Sequence, residues 1–128
     1  MKLNDRKGQA MVELALVLPL LLLIVFGITE FGRALWIVNT LTNAAREGAR
    51  RASVSPGVPL NTVQLEDRIK ECIPFDQTDL DIDIAPISPV HGIDTITVVV
   101  NLPFQSSVPI IDMLNGITLK GEASMLYE

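Results

Sequence analysis

The sequence predicts an α+β fold in which a long N-terminal helix, membrane-embedded in its first half and amphipathic in its second, packs on a small antiparallel β-sheet with a short additional helix. Three observations predict it. Leu14–Ile28, reading LALVLPLLLLIVFGI, is fifteen residues without a charge. From Phe31 to Ala52, apolar or small residues recur at 31, 34, 35, 38, 41, 45, 49 and 52, in steps of three or four that trace a helix face. Beyond Ser53 the pattern changes to period-two alternation and β-branched runs, the mark of strands.

Extended to Gln9–Thr29, the apolar segment covers 21 positions with one ionisable group, Glu13. A helix of that length rises about 30 Å, the thickness of a hydrocarbon core. Lys2, Arg6 and Lys7 precede it against a single Asp5, so the positive-inside rule keeps the N-terminus cytoplasmic and exports the chain beyond Ile28. A secretory cleavage site needs small residues just after the apolar core, but Gly27–Ala34 is bulky and charged and the helical pattern runs straight through it. One helix from roughly Gln9 to Ala52 results, about 66 Å long. Glu30–Arg33 and Glu47–Arg51 are spaced for ion pairs on its surface. Pro19 removes a backbone donor and is expected to kink it, and the Pro56-Gly57-Val58-Pro59 run ends it.

The remainder reads as a small exported domain. Leu60–Ile73 forms the short helix, capped by Asn61 or Thr62, with Val63, Leu65, Ile69, Cys72 and Ile73 as its apolar face. Cys72 is thus expected to be a small buried hydrophobe. Asp79–Ile84 alternates acid and apolar, a half-buried strand with its carboxylates in water. Ala85–Gly92 is expected to be a hairpin connection with His91 solvated. Ile93–Leu102 is the central strand, and Ile117–Tyr127 the third, with Gly121 as a bulge. Val108–Leu114 is a short helix or an apolar loop, and Asn115-Gly116 turns into the last strand.

Composition narrows function further. The chain has 128 residues, one Cys and one His, which suits one domain and excludes an intrachain disulfide and a multi-thiolate metal site. Residues 1–51 carry seven basic side chains against four acidic, and the rest three against eleven. An acidic C-terminal half, with Arg46, Arg50 and Arg51 as the one basic patch, argues against nucleic acid. No nucleophile stands beside a base, and there is no glycine-rich phosphate loop or metal cluster. The sequence therefore points away from an enzyme and calls for no cofactor.

Glu13 is the most informative residue. A carboxylate in an apolar span costs roughly 2.5–3.5 kcal/mol near mid-membrane, less at an interface, and is usually paired and functional. It lies five positions after Gly8, which itself comes after a short basic leader. This arrangement resembles the class III signal of type IV pilins and pseudopilins, which prepilin peptidase cuts after the glycine. The resemblance implies a leader at 1–8, cleavage between Gly8 and Gln9, a transmembrane and polymerisation half at 9–29, and an exported part at 30–128. It also implies that the new amine of Gln9 meets Glu13 between adjacent subunits, removing the cost of a lone buried charge.

The runs Gly27-Ile28-Thr29-Glu30-Phe31-Gly32-Arg33-Ala34-Leu35 and Leu41–Arg50 (LTNAAREGAR), with Gly116–Leu119 and Ala123–Met125 near the C-terminus, resemble the TadE-like family. Leu14 stands next to Glu13 where Tad-type pilins often carry an aromatic residue. The resemblance implies a type IV pilin-like fold and a minor pilin or pseudopilin of the Tad/Flp tight-adherence system. Such a protein would sit in the bacterial inner membrane, or in an extracellular pilus, and act in pilus biogenesis, secretion and surface adhesion. Its partners would be prepilin peptidase, a TadF-like protein, the Flp major pilin and membrane lipid, in homo- or hetero-oligomers. The alternative is an unprocessed single-pass anchor displaying a small binding domain.

Overall fold

A computed structural model describes residues 3–54, 62–90, 93–107 and 115–126. His91, the Val108–Leu114 segment, the Pro56–Pro59 break and Asn61 lie outside them. Helix α1 runs from Leu3 to Ser53, a rod of about 76 Å. It covers Gly8 and passes through Pro19 as one element. Helix α2 spans Thr62–Glu71. The turn that follows it is tied down by Gln77, whose side-chain amide donates to the carbonyls of Lys70, in the last turn of α2, and Ile73, just beyond it, each at 2.8 Å.

Three strands, β1 (Asp81–Val90), β2 (Ile93–Pro103) and β3 (Thr118–Leu126), form an antiparallel sheet in the order β1-β2-β3. β2 is central, as its β-branched run predicts. Its alternate residues Ile96, Val98 and Val100 are fully buried and, with Leu102 and Phe104, face the helices. Over them lie Ile37, Leu41, Ala44, Ala45, Ala49 and Ala52 of α1 and Leu65 and Ile69 of α2. Burying a side chain the size of Leu41 or Ile69 contributes roughly 1.5–3 kcal/mol. Small residues dominate the α1 face, and that lets the helix lie close on the sheet. Asn115-Gly116 forms the expected turn, with Gly116 at a φ of 89°, a region where glycine carries no Cβ penalty.

The structure corrects several local expectations. Ala85–Val90 belongs to β1 and pairs with β2 up to Val90↔Ile93, so the connection is much shorter than the Ala85–Gly92 hairpin expected. The register irregularity sits between Ala85 and Ser88, around Pro86, whose ring nitrogen has no hydrogen to give the ladder. Gly121 is not a bulge: it pairs with Val100 in an unbroken register. Its role is close approach, since a Cβ there would stand 2.3 Å from the Leu41 carbonyl carbon of α1. Asp79 precedes β1 instead of starting it, while Asp81 and Asp83 do face water and Ile82 and Ile84 pack inward. On α2, Leu65 and Ile69 are buried, with Ile73 just beyond, but Val63 and Cys72 are exposed. Cys72 is therefore no core hydrophobe. It lies in the turn after α2, and its thiol donates weakly to the Arg68 carbonyl at 3.4 Å.

Candidate assembly surface and the Glu30 junction

From Arg6 to Thr29, α1 stands clear of the domain, and every residue but the half-buried Gly27 is exposed. Met11, Leu16 and Ile28 are 71%, 75% and 69% exposed. Such a length of apolar side chains in water costs far more than a small domain gains from folding, so something must cover it. By length and composition α1 is the one helix among the described residues suited to crossing a membrane. Glu13 is exposed on this rod, one turn above Gln9. A Cβ at Gly8 would meet nothing within 4 Å, so no packing among the described residues requires a glycine there. Gly8, Gln9, Glu13 and Pro19 all lie on the free half of α1, and none touches the sheet.

Where α1 reaches the domain, sequence periodicity and structure part company. Phe31 and Leu35, placed by spacing on the buried face, are 66% and 49% exposed, whereas Ile37 and Ala44 are buried. The reason is Glu30. Sequence spacing suggests a surface ion pair with Arg33, yet Glu30 is only 4% exposed. Its Oε2 accepts from Arg33 Nη2 at 2.9 Å and Nε at 3.2 Å, and its Oε1 accepts from the Ser107 backbone N–H at 3.3 Å. Arg33 also donates to the Gln105 carbonyl, and its guanidinium lies 4.4 Å from the centroid of the Phe104 ring, within cation–π range. The pair thus ties the helix to the segment leaving β2. Glu30 shares its helix face with Ile37, Leu41 and Ala44, and Phe31 and Leu35 stand about 100° and 140° around the helix from it, on the open side.

Beside this junction is an open cleft of about 210 Å³, lined by Arg33, Trp36 and Ile37 from α1 and by Phe75, Asp79 and Phe104 among others. Trp36 meets Phe75 edge-on at 5.4 Å. Asp76 holds this loop, accepting from the Thr78 hydroxyl at 2.6 Å and its N–H at 3.0 Å, bonds that lower its carboxyl below the usual range. Farther up α1, Glu47 accepts from Arg50 and from Arg51, at 2.9 and 2.6 Å. The Arg50 bond first, then that of Arg51, pulls its pKa from 4.5 down to about 2.

No curated protein and no solved structure matches the chain. A family model described as TadE-like protein matches residues 8–50. That stretch begins at Gly8 and takes in Glu13, the free apolar rod, the buried Glu30 with its Arg33 partner, and the small-residue face on the sheet. Along α1 from Gly8 to Arg50, the chain is similar to the TadE-like family.

Proposed function

We propose that the chain is a minor pilin or pseudopilin of a Tad-type pilus, cut by prepilin peptidase after Gly8 and assembled through the freed helix. One observation carries this reading: the family match starts at Gly8 and runs along a rod whose apolar side chains and Glu13 are exposed and find no partner among the described residues. Lipid covers such a rod while the subunit waits in the inner membrane, and the rods of neighbouring subunits cover it in a pilus. Van der Waals packing drives the second state, because apolar helices gain no hydrophobic term on leaving lipid. Glu13 supplies direction. Cleavage leaves an ammonium on Gln9, and Glu13 of one subunit pairs with the Gln9 amine of the next, so the charge is not left alone in an apolar bundle. The partners are other pilins and pseudopilins, and the domain hangs on the exported side.

Mass spectrometry of the membrane-extracted protein tests the processing. An N-terminus at Gln9 is expected; one at Met1, or beyond Ile28, overturns it. In-membrane cross-linking tests the assembly, since a simple anchor that displays a domain stays monomeric in its own membrane.

A further inference from the structure

We propose that the base of the domain is seated in the lipid headgroup layer through Phe31, Leu35 and Trp36, so that the domain rests on the membrane and is not held above it on a stalk. The seat rests on the membrane-spanning part of the proposed function, not on processing or pilus assembly.

The exposed apolar face of α1 does not stop where the span does. Leu21, Ile24, Ile28, Phe31 and Leu35 succeed one another at steps of three and four and are all exposed, so one stripe leaves the span and continues into the domain. Trp36, 51% exposed, flanks it. Above Leu35 the same face turns polar, with Asn39, Asn43, Arg46 and Arg50 exposed. If the hydrocarbon ends near Thr29, the apolar extension to Trp36 rises about 10 Å. The headgroup region on one side of a bilayer adds about 5–8 Å. The apolar face thus outlasts the hydrocarbon by roughly one headgroup layer and then ends. A seam for a neighbouring helix would have no reason to stop there.

The polar groups at this level fit the same placement. Thr29 spends its hydroxyl on the Val25 carbonyl at 2.9 Å, and Glu30 is turned into the domain with its charge met by Arg33. The ring beside this surface is an indole, the side chain most enriched at membrane interfaces because one edge is apolar and the other donates a hydrogen bond. Asp76 and Asp79 line the cleft next to Trp36, and these carboxylates oppose anionic headgroups. The seat therefore suits zwitterionic lipid.

Trp36 is the only tryptophan in the chain, so its fluorescence reports the seat directly. The full chain is reconstituted in phosphatidylcholine vesicles whose lipids carry a nitroxide either near the headgroup or near the chain end. Quenching about twofold stronger from the shallow label is expected. Substituting Phe31→Glu with Leu35→Glu, both exposed and outside the core, should abolish that quenching, and adding phosphatidylglycerol should not increase it. Access to aqueous acrylamide without lipid quenching overturns the proposal, as does protection from both, which would mean a protein covers the face. A Leu20→Trp probe, near the middle of the 9–29 span and exposed, in a Trp36→Phe chain separates the two readings. If it is quenched by the deep label while Trp36 is not, the span stands and the seat fails; if neither is quenched, the span itself fails.

Discussion

Gly121 and Glu30 show how single residues set the position of α1. At Gly121 the helix backbone comes so near that a methyl group would lie 2.5 Å from the Thr42 nitrogen and 2.6 Å from the Leu41 oxygen. Backbone on both sides cannot yield as a side-chain tip can. Gly121→Ala should destabilise the chain by about 3 kcal/mol, at the upper end of overpacking costs, read from guanidinium unfolding in detergent. Glu30→Ala should cost about 2 kcal/mol, less than the cost of breaking a fully buried pair, because Arg33 remains one-third exposed. A double-mutant cycle with Arg33→Ala should show coupling between the two. Glu47 acts in the opposite setting, at the surface. Its folded pKa is depressed, so its stabilisation is complete above the ordinary carboxylate value and disappears as pH falls toward 2. The difference in melting temperature between the parent and Glu47→Gln should therefore narrow as pH drops from 4.5 to 2. Spacing reveals the Glu47–Arg51 pair but not the inward turn of Glu30, since the Ser107 and Gln105 groups that meet the Glu30–Arg33 pair come from more than seventy residues away.

Among the elements, α1 was the most readable, because a charge-free run joined to a 3.6-residue pattern has few other solutions. Its two halves answer to different surroundings, and substitutions should separate them. Gly8→Val is expected to block processing while leaving the domain folded, since nothing within 4 Å depends on that position. Glu13→Ala should leave cleavage intact and reduce incorporation several-fold, measured as pilus-associated against membrane-associated protein. Both outcomes are read by mass spectrometry and fractionation. Strand limits were less readable. Pro86, Ser88 and Pro89 look like a loop by composition, yet they continue β1, because an edge strand tolerates missing N–H donors on its outer side.

For the whole molecule, α1 runs without a break from the unshielded rod through Glu30 into the small sheet domain. Cys72, the single thiol, is exposed on the domain. A membrane-impermeant maleimide should therefore label it in intact spheroplasts if the domain is exported, and only after lysis if the orientation is reversed. Labelling of purified protein in both cases would confirm that the site is open. The sequence alone determined the long helix, its apolar half, the three strands and the exposed acids, because these come from local periodicity and from the partition of side chains between water and oil. Only the tertiary structure decided which side of α1 meets the sheet, why Gly121 has no side chain, and where Glu30 and Cys72 point. Those outcomes depend on contacts between distant segments, whose geometry no local pattern carries.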